Sequence, residues 1–312
     1  MTAAPNWVIG SGGLLGSAVV RALQRTGQQV FRAERIGWGT EAVDADLARN
    51  LERFARSAGD DWRIFWCAGA AVTGSSRDHL EGEVEVFRAF VSRIRDHLGD
   101  RAGGALFLAS SVGAVYGGAS EPPFTEETPA QPLGYYGRAK LDMEAAARAW
   151  SDSTGQALAI GRISNLYGPG QRLDKGQGLI SRLCLAAVTR TPLSVFVPLD
   201  TRRDYIYVDD CAELVISFAE RSAMLGGATT KILAAGQAAS VGSLIGDLRR
   251  ITTSAPPIVM SASAQSALQA PDLRVRSMVW TDLDARPRVP LAEGIGRTLA
   301  AVRSAHGQGT LS

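Results

Sequence analysis

Tyr136 and Lys140 are the residues of this sequence whose types and spacing most directly suggest chemistry. Good helix formers follow Pro132, so the sequence predicts a helix here, and residues four apart share one helix face. A lysine ammonium beside a phenol stabilises the phenolate and lowers the pKa of the tyrosine. Such a tyrosine can exchange a proton with an alcohol or a carbonyl near neutral pH. With a serine hydroxyl on the same oxygen, the set predicts hydride transfer at a carbon that bears oxygen.

Two serines, Ser110 and Ser111, follow a predicted strand at 105–109 and are candidates for that hydroxyl. The spacing of Tyr136 and Lys140 also occurs on solvated helix faces that have no catalytic role. The catalytic interpretation is favoured because further motifs lie at compatible positions in the chain.

A glycine-rich segment near the start of the chain follows a short apolar strand at 7–9. Gly10, Gly13 and Gly16 have the spacing Gly-x-x-Gly-x-x-Gly, and a helix is predicted at 17–25. In a strand–loop–helix unit these glycines allow a tight turn, a close approach of a pyrophosphate and tight packing of helix on strand. The phosphate then lies at the positive end of the helix. The segment predicts a dinucleotide site.

The second predicted strand, at 29–33, is followed by Glu34 and Arg35, with Arg32 nearby. A carboxylate here accepts hydrogen bonds from an adenosine 2'-hydroxyl, whereas an arginine favours a 2'-phosphate. NAD and NADP both remain possible, with a slight preference for NADP. The alternative is an exposed Glu–Arg pair that binds no ligand.

A third short strand is predicted to end at residues 44–47. There Asp46 could approach an adenine amino group, or it could be the N-cap of a helix at 47–57. A fourth strand, 64–70, is a continuous apolar run that ends in small residues. Such a run is typical of a buried parallel strand.

Strands alternate with helices along the first half of the chain, which predicts an α/β fold with a doubly wound parallel sheet of about seven strands. A Rossmann-type domain is expected at 1–166, with residues 204–236 returning to it. A smaller C-terminal α/β lobe at 167–303 and a disordered tail at 304–312 complete the predicted organisation.

Composition narrows the classes of function. The chain has 312 residues, 46% of them hydrophobic, and a net charge of +2, so a polybasic nucleic-acid or membrane surface is not expected. Its three cysteines and three histidines lack the spacing of a metal site, so no metal is predicted. The sequence shows neither a membrane-spanning run nor a secretory signal, and a cytoplasmic location is expected.

These motifs, together with the runs Arg162-Ile-Ser-Asn165-Leu-Tyr-Gly-Pro-Gly-Gln and Arg203-Asp-Tyr-Ile-Tyr-Val-Asp-Asp210, resemble extended short-chain dehydrogenases/reductases of the sugar-nucleotide epimerase/dehydratase family. The resemblance implies that Tyr136 is the acid/base and that Lys140 orients it and binds the nicotinamide ribose. It also implies that Ser111 polarises the reacting oxygen.

Further site residues follow from the same pattern. The expected cofactor-binding residues are Gly10, Gly13, Leu14, Leu15, Gly16, Glu34, Arg35, Asp46, Leu47, Ala68, Gly69, Ala70, Ser110, Tyr136, Lys140 and Ile163. By the resemblance, Asn165 and Arg203 would contact the diphosphate of a nucleotide-sugar, as a guanidinium often does. A salt bridge from Arg203 to Asp204 or Asp210 is the alternative.

Departures from the family pattern restrict the reaction. Val112 and Gly113 stand where 4,6-dehydratases have an acid pair, and no cysteine or histidine stands there, as a combined 3,5-epimerase/reductase would require. Hydride transfer at C4 remains, so the prediction is a 4-ketoreductase, closely followed by a 4-epimerase. A non-catalytic dinucleotide sensor is a third interpretation. A homodimer is also expected, built from the helix at 83–97 and the Tyr136 helix.

Overall fold

The computed structural model describes residues 6–309 except 70–73, 100, 102, 174–177, 253–255, 262–268 and 287. Its strands are β1 (Asn6–Ile9), β2 (Arg63–Trp66), β3 (Ala105–Ser111), β4 (Ala157–Ile163), β5 (Asn165–Tyr167), β6 (Leu193–Val195), β7 (Arg202–Tyr207), β8 (Ala228–Leu233), β9 (Ala238–Ser240), β10 (Ile258–Met260) and β11 (Asp272–Leu273). Its α-helices are α1 (Leu14–Arg25), α2 (Val43–Ser57), α3 (Arg77–Leu98), α4 (Val112–Tyr116), α5 (Tyr135–Thr154), α6 (Leu179–Thr189), α7 (Val208–Leu225), α8 (Val241–Ile251) and α9 (Leu291–Gly307), with a 3₁₀ turn at Thr281–Ala285.

The central sheet has the strand order β1-β2-β3-β4-β8, and all of its pairs are parallel. Successive side chains of a strand point to opposite sides of the sheet, and helices cover both sides. In β1, Val8 belongs to the core formed with α1 and α7, whereas Trp7 and Ile9 belong to the core formed with α2, α3 and α5. The predicted α/β class with a parallel central sheet is confirmed.

The sheet contains fewer strands than the sequence predicts. The second predicted strand is reduced to a single parallel bridge between Val30 and Asn6. The third, predicted to end at 44–47, is wrong, because helix α2 already begins at Val43. Asp44 and Asp46 lie in the first turn of this helix, where carboxylates are favoured by the helix dipole. Asp44 is also bound on both oxygens by Arg93 of α3.

The remaining strands form small sheets beside the central one. β7 pairs with β5, β9 and β11, and β6 pairs with β10. The last helix, α9, continues to Gly307, so the disordered tail predicted from Ser304 is wrong for its first four residues. Val302 is buried at this end and Arg303 donates a hydrogen bond to Thr252, which fixes the helix there. None of the described helices has the length and apolar character needed to cross a bilayer.

Candidate active site

The order of the strands creates a crevice at the carboxyl end of the sheet. From β1 the chain passes to the bridge at Val30 on one side and later to β2 on the other, so the direction of winding changes between β1 and β2. In doubly wound sheets, ligands bind outside the strand ends at such a point. The loops that follow β1 and β2 border this crevice.

The glycine-rich loop after β1 has little space for any other residue. Gly10 has a φ of +85°, and a Cβ on it would lie 2.7 Å from the amide nitrogen of Ala68. A Cβ on Gly16 would lie 2.2 Å from the Gly10 carbonyl oxygen. Gly13 is the N-cap of α1, with no side-chain cap and no acidic residue in the first turn. The loop therefore presents a helix N-terminus that suits a phosphate.

Other predicted cofactor residues differ in their exposure. Leu14 is half-buried and Leu15 is buried in the core on one side of the sheet, while Ala68 and Gly69 follow β2 beside the glycine loop. Ala70 lies outside the described residues. Ile163 is buried at the end of β4 and is paired in register with Ser111 of β3.

Ser111, Tyr136 and Lys140 come from neighbouring elements at the same edge of the sheet. Lys140 is buried, and its ammonium donates to the carbonyl oxygen of Ala109 at 3.4 Å and lies 5.8 Å from the centre of the Tyr136 ring. Ser111 is the N-cap of α4 and accepts the amide of Ala114 at 3.3 Å.

Helices α4 and α5 touch through their backbones at this edge. A Cβ on Gly137 would lie 2.2 Å from the carbonyl oxygen of Ala114. Only a glycine therefore permits this approach, which brings the element that carries Ser111 against the start of the helix that carries Tyr136.

The two serines at the end of β3 have different partners. Ser110 is buried and donates to Glu144 at 2.6 Å. Glu144 is also bound by Arg162 at 2.8 Å, and Arg162 donates to the Tyr116 hydroxyl at 2.6 Å. The hydroxyl proton of Ser110 is therefore committed to a buried network. Ser111 is half-buried and uses its oxygen only as an acceptor in the contact described above.

At the other end of the crevice, residues 30–38 replace the expected strands. Together with the glycine loop they enclose a cavity of about 580 Å³, whose lining includes Gly10, Gly12, Arg32, Glu34 and Arg35. Glycine backbone at one end and charged side chains at the other suit a dinucleotide, with its pyrophosphate at the loop and its ribose near Glu34. The residues present therefore fit this class of cofactor.

Glu34 is fixed from both its backbone and its side chain. Asn50 of α2 accepts the Glu34 amide at 2.7 Å, and the carboxylate pairs with Arg49 and Arg53, each at 3.2 Å. The sequence interpretation missed these two arginines, because residues of α2 were not expected to face the second strand. Arg32 and Arg35 are exposed and form no ion pair with any described residue.

Asp46 and Leu47 are not at a strand end, because both belong to α2. Asp46 accepts the amide of Gly37 at 2.9 Å and pairs with Arg49, and the bond to Gly37 lowers the pKa of its carboxyl. Asp46 is therefore not the N-cap of a helix, and Leu47 is fully buried in the core. A contact of either residue with the cofactor stays a prediction.

Asn165 and Arg203 lie on the paired strands β5 and β7. Asn165 donates to the carbonyl oxygen of Asp204 at 3.0 Å. Arg203 is buried and donates a hydrogen bond to the carbonyl oxygen of Arg202. Burial lowers the pKa of its guanidinium, while Tyr205 and Asp272 oppose that shift.

The alternative prediction, a salt bridge from Arg203 to Asp204 or Asp210, is wrong, because neither carboxylate pairs with Arg203 in the described part of the chain. Asp204 accepts instead from Ser164 and two backbone amides, and Asp210 accepts the amide of Val289. A buried cation without a carboxylate partner is costly. An anion that binds there would compensate for this cost.

Glu83 is a further acidic residue near the site that sequence reasoning missed. The position of a Cβ on Gly69 would lie 3.6 Å from the Lys140 nitrogen and 3.9 Å from a Glu83 oxygen. The sequence interpretation began this helix at residue 83, whereas α3 begins at Arg77. Glu83 therefore lies on the second turn of α3, and this position could be predicted only from the correct start of the helix. Among the described residues, no cluster of acidic, histidine or cysteine side chains could hold a metal ion.

Comparison with known proteins extends this description. The chain is 35% identical over 109 residues to the dTDP-4-dehydro-6-deoxyglucose reductase of Escherichia coli, which covers 35% of this chain and 34% of that protein. It is 28% identical over 270 residues to the UDP-glucose 4-epimerase of Azospirillum brasilense, covering 78% of this chain and 76% of the relative. Several relatives are matched over only 27–37% of their length.

Solved structures share the fold. MoeE5 in complex with UDP-glucose and NAD superimposes with a TM-score of 0.79 at 20% identity, covering 97% of this chain and 99% of that one. The family model described as "NAD dependent epimerase/dehydratase family" matches residues 7–230. With this match the resemblance inferred from the motifs is confirmed, and the chain belongs to the NAD-dependent epimerase/dehydratase family.

Proposed function

We propose that the protein is an NAD(P)-dependent oxidoreductase that acts at C4 of a nucleotide-linked hexose, working as a 4-ketoreductase. The observation that carries this proposal is that Ser111, Tyr136 and Lys140 lie at the same edge of the sheet, beside a crevice that fits a dinucleotide. A protein that only sensed the cofactor would need none of these three side chains.

A bound nicotinamide supplies or accepts the hydride, and the protein supplies the proton. Tyr136 gives its phenolic proton to the C4 oxygen as the ketone becomes an alcohol. The Lys140 ammonium stabilises the phenolate that remains. Ser111 donates a hydrogen bond to the same oxygen, and its hydroxyl proton is available because the contact with Ala114 uses only its oxygen as acceptor.

Two observations favour net reduction. Val112 and Gly113 follow Ser111, so the acid and base that eliminate water in a dehydratase have no counterpart there, and the keto group must come from another enzyme. Around the predicted ribose position, Arg32 and Arg35 are exposed, while Arg49 and Arg53 already neutralise Glu34. This surplus of positive charge supports a 2'-phosphate, and hence NADPH as the reductant.

A 4-epimerase of the UDP-glucose type is the second candidate. It is favoured by the relative from Azospirillum brasilense, which matches over most of both chains. An epimerase would oxidise its substrate, let the keto-sugar turn over in the site and reduce the other face. Such an enzyme needs no cofactor from solution, and this requirement separates the two candidates.

Arg203 and Asn165 support a nucleotide-sugar as the substrate. The buried guanidinium of Arg203 suits the diphosphate, because charge-assisted hydrogen bonds to phosphate are strong when water is excluded. The solved MoeE5 complex contains UDP-glucose, a ligand of the same class.

The test is a reaction of the purified protein with a nucleotide-linked 4-keto-6-deoxyhexose and NADPH, followed at the nicotinamide absorbance. A stoichiometric loss of absorbance is the result expected of a ketoreductase. Interconversion of two 4-hydroxy sugar nucleotides without added cofactor would overturn the reductase and leave the epimerase. Cofactor binding without turnover of any sugar nucleotide would instead support the interpretation as a non-catalytic dinucleotide sensor.

We also propose that the protein is a homodimer and that it works in the cytoplasm. In support of the dimer, α3 and α5 pack side by side along one face of the sheet, as a seam built from two such helix pairs requires. Light scattering of the purified protein tests the dimer, and a monomeric mass would refute it.

A further inference from the structure

Trp38 differs from the other tryptophans of the chain. The residue is 45% exposed, whereas Trp280 is half-buried and Trp7, Trp62, Trp66 and Trp150 are all at most 4% exposed. Trp38 also lines the cavity of about 580 Å³ that the glycine loop borders. A tryptophan that lines a cavity and remains exposed can offer its ring to a ligand, and tryptophan is enriched at interfaces for this reason.

The turn that carries Trp38 is held by specific contacts. The amide of Trp38 donates to the Ile36 carbonyl at 3.0 Å, and Thr40 donates to the Gly37 carbonyl at 3.2 Å. The Asp46 carboxylate accepts the Gly37 amide from α2. The turn therefore occupies a defined position at the end of the shortened second strand.

Within the described part of the chain, the indole of Trp38 has one aromatic neighbour. Trp66, at the end of β2, meets it at 6.2 Å between ring centres with an interplanar angle of 87°. An edge-to-face contact fixes the orientation of a ring and covers only part of it. Because Trp66 is buried among Phe87 and Phe90, this contact connects Trp38 to the rigid core.

We propose that Trp38 is the stacking surface for the adenine ring of the dinucleotide. The order of the ligand parts follows from the proposed function, which puts the pyrophosphate at the glycine loop and the ribose beside Glu34 and Arg35 in the same cavity. Beyond the ribose comes the base, and Trp38 is the exposed aromatic side chain of the cavity lining at that end. Asp46 then acts as a positioning residue through the Gly37 amide, and not as a partner of the adenine amino group.

The proposal rests on the proposed use of a dinucleotide, and its test measures binding alone. Isothermal titration compares AMP, nicotinamide mononucleotide and NAD⁺ on the full-length protein and its variants. Removing a base-stacking aromatic side chain costs about 5- to 150-fold in affinity. Trp38→Ala should therefore weaken AMP and NAD⁺ by a similar factor within that range, and leave nicotinamide mononucleotide unchanged.

Three further variants sharpen the test. Trp38→Phe should restore most of the affinity for AMP, because it keeps an aromatic face. Asp46→Asn should weaken AMP by a smaller factor than Trp38→Ala. Phe196→Ala is the matched control, since Phe196 is an exposed aromatic residue that does not line the cavity, and it should leave all three ligands unaffected.

A spectroscopic readout checks the stacking itself. In the wild-type protein, AMP should quench the part of the tryptophan fluorescence that comes from Trp38. This quenching should be absent in Trp38→Phe. Unchanged AMP affinity in Trp38→Ala would overturn the proposal, as would an equal loss for AMP and nicotinamide mononucleotide. If the wild-type protein bound no dinucleotide, the proposed function would fail, whereas tight NAD⁺ binding by Trp38→Ala would refute only the role of Trp38.

Discussion

The two ends of the proposed cofactor crevice are built from different kinds of structure. At the end where we propose that the nicotinamide binds (the nicotinamide end), Ser111, Tyr136 and Lys140 come from a regular strand and a long helix. Behind them lies a buried network of Ser110, Glu144, Arg162 and Tyr116. At the opposite end, where we propose that the adenosine binds (the adenosine end), residues 31–37 are irregular and residues 38–42 form turns and a bend. The ion pairs of Glu34 at this end are exposed to solvent.

This difference separates the demands of chemistry from those of recognition. Proton transfer requires side chains that are fixed to within a fraction of an ångström, which packed elements and buried networks provide. Recognition of the adenosine depends on the charges and on the exposed side chains that contact it. Substitutions in exposed loops can change both without affecting the core. The predictions below test whether the two ends behave so differently.

The largest effect is expected from the loss of the proposed acid/base. Tyr136→Phe should lower kcat by about 10²–10⁴, because it removes the proton donor. Affinity for the cofactor, measured by titration calorimetry, should hardly change. Tyr135→Phe is the matched control, since Tyr135 is exposed on the same helix, and it should stay active. A crippled Tyr135→Phe beside an active Tyr136→Phe would show that the assignment is wrong.

The next effect concerns stability and contrasts the two ends directly. Arg162→Met leaves the Glu144 carboxylate buried without its cation and should lower the free energy of unfolding by about 3–5 kcal/mol. Arg49→Met removes solvent-screened pairs with Glu34 and Asp46 and should leave the free energy of unfolding nearly unchanged. Urea unfolding measures both. Equal losses would contradict the contrast between the ends.

The two serines should separate function from stability. Ser111→Ala should lower kcat by up to about 10²-fold, as the loss of a donor to a developing oxyanion does. It also removes the N-cap of α4 and should lower the free energy of unfolding by about 1 kcal/mol. Ser110→Ala leaves Glu144 short of a partner and should cost about 1–3 kcal/mol of stability with a smaller loss of kcat. If Ser110→Ala reduced turnover more than Ser111→Ala, the polarising role would pass to Ser110.

The smallest effect is expected at the adenosine end. Arg35→Ala should raise KM for NADPH by about 10-fold, the cost of one charged hydrogen bond, and leave KM for NADH nearly unchanged. Arg56→Ala is the control, because Arg56 is an exposed arginine of α2 outside the cavity lining. Equal changes for both cofactors would remove the support for NADP.

Much of the fold could be predicted because its signals are local. The buried strand β3 is a continuous run of apolar and small residues, and it begins at Ala105, as the sequence predicts. The glycine loop and the spacing of Tyr136 and Lys140 are equally local, and the structure brings their elements to one edge of the sheet. The prediction of the third strand was wrong because the chain turns at Gly37 and Gly39. The carboxylates of Asp44 and Asp46 then favour the first turn of a helix that already begins at Val43.

The rest of the site depends on contacts between distant parts of the chain. Nothing in the sequence pairs Ser110 with Glu144 and Arg162, which meet only when β3, α5 and β4 pack together. The position of Glu83 beside Lys140 likewise depends on the start of α3 and on how that helix packs on α5. Such contacts become visible only in three dimensions.

The backbone contact at Gly137 has a consequence for motion. Because α4 and α5 touch without an intervening side chain, no rotamer change can widen the gap between them. The distance between the backbones of Ser111 and Tyr136 can then increase only if the two helices separate, which is a sub-global opening much slower than side-chain motion. Amide hydrogens of this region should therefore be among the last to exchange with solvent, although they border an open crevice.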